Sequence, residues 1–235
     1  MEFYDMKKGN TKYLWIGLVF FATFVLWTVL VGFMDVQPIG PKGSSVGFAA
    51  LNGPVHEAIG VHWRLYTLTD WLGLVPIGFV LGFAVLGLVQ LIRRKSLFKV
   101  DRSLLALGGF YVIVLEMYLL FEAAVVNYRP VLIDGNLEAS YPSSTTVLAL
   151  CVIPTAMMQL KAHIHNRLLR WGVLGLLWAF TAFMVIGRLA SGVHWLSDII
   201  GGLLLSVGLV ALYAFAVKWQ GGAGAASPGS ACVCP

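Results

Sequence analysis

The stretch Leu14-Trp-Ile-Gly-Leu-Val-Phe-Phe-Ala-Thr-Phe-Val-Leu-Trp-Thr-Val-Leu-Val-Gly-Phe-Met34 decides the fold class. It runs for about 21 residues without a charge, and a helix rising ~1.5 Å per residue then crosses ~30 Å of hydrocarbon. No small-residue cleavage site follows it, so a retained span is expected rather than a removed signal peptide. Five further apolar runs repeat the pattern: Trp71–Ile92, Ser103–Phe121, Thr145–Leu160, Trp171–Ile186 and Ile199–Val217. The fourth and fifth are near the lower limit for a span. Lipid cannot satisfy open backbone groups, so each run must be helical. The expectation is an all-α bundle of six transmembrane helices over residues 1–219, with a disordered Gly/Ala/Ser tail over 220–235.

Composition agrees. The chain is 59% hydrophobic and only 11% charged, which excludes a soluble domain of this length. A formal charge of +5 could suggest a nucleic-acid partner, but the positions of the charges argue against one. Twelve of the 16 Lys and Arg residues fall in segments that the six runs place on one side of the membrane. Only Lys42, Arg64, Arg129 and Arg188 fall on the other. The positive-inside rule puts both termini in the cytoplasm, with a bacterial plasma membrane as the expected location. The basic charge then serves topology and anionic lipid heads. Cys151, Cys232 and Cys234 show no metal-ligand spacing and no disulfide framework, and neither metal nor cofactor is expected. The outer loop between the first two runs carries Pro38, Pro41 and Pro54 and ends in Trp63, Tyr66 and Trp71, residues suited to the membrane interface. It reads as a surface loop with a short interfacial helix, a candidate lid.

Three outer segments carry chemistry: Glu122-Ala-Ala-Val-Val-Asn-Tyr-Arg129-Pro130, Tyr141-Pro142-Ser143-Ser144-Thr145-Thr146, and Gly187-Arg188-Leu-Ala-Ser-Gly-Val-His194-Trp-Leu-Ser-Asp198. All lie at span ends on one side. The guanidinium groups of Arg129 and Arg188 match phosphate oxygens. Pro142 followed by hydroxyl residues reads as a helix entry, where free N–H groups and the dipole favour an anion. Ser143 and Thr145 could equally serve as caps alone. His194 and Asp198 are four residues apart, so on a helix Asp198 would fix the imidazole tautomer and stabilise its positive charge. A histidine so held can attack phosphorus and form a phospho-His intermediate. Asn127 and Tyr128 read as interface anchors. His56, Glu57 and His62 read as ordinary loop residues, with a spare proton donor among them as the alternative.

These segments resemble the signature of the type 2 phosphatidic acid phosphatase superfamily: Lys-x6-Arg-Pro, then Pro-Ser-Gly-His, then Ser-Arg-x5-His-x3-Asp. The third motif matches at Arg188, His194 and Asp198, with Gly187 in place of the family's Ser. The six-span order matches as well, over roughly Leu14 to Val217. The resemblance implies that His194 is the nucleophile, that Asp198 orients it, and that Arg129, Arg188 and Ser143 bind phosphate with Ser144 and Thr145 beside them. Two positions depart. Glu122 stands for the motif Lys, and Thr145 for the motif His that protonates the leaving group. Losing such an acid typically costs ~10²–10⁴ in rate, more for an alkoxide leaving group than for a phosphate. The expected substrate is therefore a lipid diphosphate, of the kind of undecaprenyl diphosphate. The alternatives are a monoesterase or phosphotransferase of phosphatidic acid or phosphatidylglycerophosphate type, or a non-catalytic lipid-phosphate binder or transporter. Glu122, seven residues before Arg129, is expected to pair with an arginine or to replace the missing acid.

Overall fold

In the computed structural model the described residues are 2–224, with side chains over 11–161 and 164–218. Their helices are α1 (Glu2–Phe33), α2 (Ala49–Ile59), α3 (Trp63–Leu72), α4 (Leu74–Arg94), α5 (Arg102–Ala123), α6 (Ser144–His163), α7 (Arg167–Ala190) and α8 (Leu196–Gly224). Six stretches are long and apolar enough to cross a membrane: Thr11–Phe33, Trp63–Arg94, Arg102–Ala123, Ser144–Lys161, Arg167–Ala190 and Leu196–Lys218. The protein is an all-helical, multi-pass membrane protein.

All six spans are longer than their apolar runs, two of them by a full helical turn or more at one end or both. The second begins at Trp63, because α3 continues into α4 through Gly73, which keeps helical backbone angles. The fifth reaches from Arg167 to Ala190 because its polar ends are helical too; Asn166 caps it by accepting from Leu168 and Leu169 N–H. Helix α8 continues to Gly224, past the Gln220 boundary expected for the tail. The rest of that tail, 225–235, including Cys232 and Cys234, lies outside the described residues.

Helix α8 is the centre of the bundle and packs on α1, α5, α6 and α7, with α2 laid against its start. The core joins Phe24 and Val31 of α1, Leu107 and Phe110 of α5, Val147 and Cys151 of α6, and Leu205 and Tyr213 of α8. Gly201 makes one of these contacts possible, because a Cβ there would stand 2.5 Å from the Tyr141 ring. Tyr141 thereby seats between α8 and Phe24, and its hydroxyl meets Thr28 at 2.8 Å. On the outer surface, Leu81, Leu86, Leu119 and Trp178 are exposed, as lipid-facing side chains must be.

The two ends of the bundle differ. One carries the α4–α5 and α6–α7 turns with most of the basic residues, and Arg94 there pairs with Asp101 at 2.9 Å. The other gathers the 34–62, 124–143 and 191–195 segments, and with them the residues singled out from sequence.

Candidate active site

The site is built on the turn between α7 and α8. Helix α7 stops at Ala190, and Gly192 turns the chain with φ +69°, a conformation that L side chains rarely adopt. A Cβ at Gly192 would also lie 2.0 Å from the Gly60 carbonyl oxygen, so the turn is held tightly against the α2–α3 connection. His194 follows, buried, two residues before α8. Asp198 lies in the first turn of α8, fully buried, and its Oδ2 accepts the Trp195 N–H at 2.9 Å. That bond caps the helix and fixes the carboxylate.

The imidazole does not reach Asp198 directly. His194 Nδ1 stands 3.8 Å from Asp198 Oδ2, beyond hydrogen-bonding range. Ser140 fills the gap: its Oγ is 3.0 Å from His194 Nδ1 and donates to Asp198 Oδ2 at 2.5 Å. The proton order follows from the donors present. Because the Ser140 O–H is given to the carboxylate, its oxygen accepts the Nδ1–H. The other ring nitrogen confirms this tautomer, since Nε2 faces Arg129 Nη1 at 3.4 Å and Arg188 Nη2 at 3.2 Å. Guanidinium nitrogens only donate, so Nε2 presents a lone pair. Burial first, and then the charges of Arg129 and Arg188, hold the His194 pKa well below its ordinary value, against a smaller opposing pull from the Ser140 backbone. At neutral pH the ring is neutral, and its Nε2 lone pair faces the two guanidinium groups.

Arg129 and Ser140 are set by one loop. Arg129 N donates to Glu138 O at 3.0 Å and Ser140 N to Asn127 O at 2.9 Å, which zips 127–129 against 138–140. Arg129 Nε forms an ion pair with Glu138 at 3.1 Å. Arg188 is buried, stacks on Tyr66 at 5.1 Å and reaches Asp70 at 3.5 Å, while its Nε has no hydrogen-bond partner among the described residues. A buried cation with an unmet donor costs stability unless a ligand supplies the acceptor, and an anion does so.

Several residues take places other than those expected. Glu122 does not pair with an arginine: α5 ends at Ala123, so no helix carries Glu122 round to Arg129, and the carboxylates paired with Arg129 and Arg188 are Glu138 and Asp70. Glu122 instead lines the cavity beside Tyr118. Ser143 sits at the N-cap of α6, fully buried, and its Oγ accepts from Thr146 at 3.0 Å rather than facing the cavity. Ser144 and Thr145 do face it. Asn127 is not an interface anchor. It is buried, donates to Asp198 Oδ1 at 3.3 Å, and accepts from Gly47 N–H at 3.1 Å. Asn52 in α2 accepts from Ser197 N–H at 3.1 Å and donates to Ser197 Oγ at 2.8 Å, tying the long loop to the start of α8. His56 meets Gly192 O at 3.1 Å and His62 meets Ile59 O at 2.9 Å. Neither lines the cavity.

That cavity, of about 550 Å³, joins two environments. At one end are His194, Arg129, Ser140, Thr145, Asp70 and Glu122; from there it runs between α4, α5 and α6 past Ile77, Val114, Leu148 and Val152. Helix α6 starts without a side-chain cap, so its positive dipole end borders the polar end. Among the described residues no group of three or more His, Cys, Asp or Glu side chains could hold a metal ion. The positive charge beside His194 comes from the two arginines.

Fold and site together define a multi-pass membrane protein in which two arginines surround a neutral histidine at the head of an apolar-walled cavity. No curated protein sequence matches the chain. The family model of the PAP2 superfamily, however, matches residues 102–221. The chain belongs to that superfamily of membrane phosphatases. Its fold is similar to the crystal structure of a transmembrane PAP2-type phosphatidylglycerolphosphate phosphatase from Bacillus subtilis, with a TM-score of 0.55 and 17% identity, covering 92% of this chain and 100% of that one.

Proposed function

We propose that the protein removes phosphate from a lipid diphosphate of prenyl type, such as undecaprenyl diphosphate, through a phospho-His intermediate on His194. The observation that carries this reading is the lone pair of His194 Nε2, aimed at two guanidinium groups at the head of an apolar-walled cavity. A phosphate placed there would take the arginine N–H bonds that now point at the ring, and the lipid chain would extend along α4, α5 and α6.

In the first step Nε2 bonds to phosphorus and the bond to the leaving oxygen breaks. The ring becomes a phospho-imidazolium, whose charge Asp198 stabilises through Ser140. Arg129 and Arg188 stabilise the charge on the phosphoryl oxygens. Water then displaces the imidazole and releases phosphate. Thr145 cannot protonate an alkoxide well near neutral pH. A lipid monophosphate leaving from a diphosphate needs that proton much less. The basic residues at the opposite end of the bundle support an extracytoplasmic site with both termini cytoplasmic.

The second reading is monoester hydrolysis, favoured by the phosphatidylglycerolphosphate activity of the structural neighbour. The test is phosphate release by purified protein from a panel of lipid mono- and diphosphates, with His194→Ala alongside. Faster turnover of diphosphates, abolished in the variant, is expected. Faster turnover of phosphatidic acid or phosphatidylglycerolphosphate would overturn the preference. No turnover of any of them would favour a lipid-phosphate binder.

A further inference from the structure

We propose that Asp70 is the base that activates water in the second step, a role resting on the phospho-His reading above. The position that holds a proton-carrying His in the family's motif is Thr145 here, so the reaction needs another group to accept the proton of the attacking water. Asp70 and Glu122 are the carboxylates in the cavity wall. Glu122 is paired with neither arginine. Asp70 is separated from the nucleophile by a single guanidinium group: Arg188 Nη1 faces its Oδ1 at 3.5 Å, and Nη2 faces His194 Nε2 at 3.2 Å.

The backbone places Asp70 beside the departed acid. Asp70 is in the last turn of α3, and at Gly73, where α4 begins, an added Cβ would touch Thr145 Cγ2 at 3.6 Å. The start of α6 and the end of α3 thus meet at the polar end of the cavity. Arg188 on α7 is the charged partner of Asp70, and Tyr66, one turn earlier on the same helix, lies within the influence of Asp70, Arg188, Arg129 and Glu138. The Asp70 side chain is 58% exposed and lines the cavity, whereas Arg188 is buried.

The step balances as follows. A water oxygen bonds to phosphorus, the Nε2–P bond breaks, and its electron pair returns to the ring. The water proton goes to Asp70 and from there to solvent, and inorganic phosphate leaves.

The experiment compares wild type with Asp70→Asn and Asp70→Glu on 32P-labelled undecaprenyl diphosphate in detergent micelles. Steady-state turnover and phosphate bound to His194 are both read, with and without added formate. Asp70→Asn should lower turnover by about 10²-fold, as expected for loss of a general base. Labelled phospho-His should build up towards one per chain, formate should restore part of the rate, and Asp70→Glu should keep more of it. A displaced Arg188 would instead raise KM and slow the first step, leaving no build-up, and would overturn the assignment. So would Asp70→Asn turnover equal to wild type. If wild type itself yields neither turnover nor adduct, the phospho-His reading fails and this role falls with it.

Discussion

Replacing Ser140 by alanine removes one oxygen and tests how His194 is held. With Ser140 gone, the 3.8 Å between Nδ1 and Asp198 Oδ2 is too long for a direct bond. Asp198 would keep the Trp195 N–H and the Asn127 amide, so its position survives. The imidazole would keep no anchored acceptor for Nδ1–H, and its positive charge in the intermediate would lose the link to the carboxylate. A buried hydrogen bond to a charged group contributes about 1.5–3 kcal/mol. At about 1.36 kcal/mol per tenfold, kcat should fall by about 10- to 150-fold. The assay is phosphate release from a lipid diphosphate in micelles, with melting temperature recorded to show that the fold holds. KM should change little, because the phosphate contacts come from the arginines. Combining Ser140→Ala with Asp198→Asn should cost far less than the product of the two single losses, since both act through one chain of bonds. A Ser140→Ala rate within about twofold of wild type, or full additivity with Asp198→Asn, would refute the relay.

Three further outcomes follow from the same geometry. Because folding depresses the His194 pKa, the unfolded chain takes up a proton first as pH falls below about 6.5. The His194 contribution to stability is therefore intact above that pH and lost below it; melting in detergent should show an acid-side decline that His194→Gln reduces, while wild-type activity persists below pH 6.5. Gly192→Ala puts a side chain at φ +69° and 2.0 Å from the Gly60 oxygen, so it should lower the melting temperature and activity together, with strain alone worth about 1–3 kcal/mol. Thr145→His should return a proton donor to the cavity wall and raise monoester hydrolysis by at least about tenfold relative to diphosphate hydrolysis, read as the ratio of kcat/KM values.

The spans were legible because lipid demands long apolar helices and little else supplies them. Their ends were less so: Trp63–Asp70 and Arg188 carry polar groups that end an apolar run without ending the helix. His194, Asp198, Arg129 and Arg188 could be picked out because few charged residues sit at span ends, and the spacing of the third motif is distinctive. Ser140, Asn127, Asn52 and Asp70 had no such signal. Each is a short polar residue in a loop or terminal turn, and its role depends on segments brought together from far along the chain. The expected pairing of Glu122 rested on a helix face shared with Arg129, and the helix stops one residue after Glu122. Ser143 was placed correctly as a helix entry, but its hydroxyl is taken by Thr146, a contact that spacing alone does not reveal.

The central claim is that His194 accepts the phosphoryl group. Wild-type protein mixed with 32P-labelled lipid diphosphate, quenched in alkali within one turnover and mapped by mass spectrometry, tests it directly. The account predicts a base-stable, acid-labile phosphate on His194 that forms and decays at the rate of turnover. Turnover without any adduct on His194, or undiminished in His194→Ala, would contradict it.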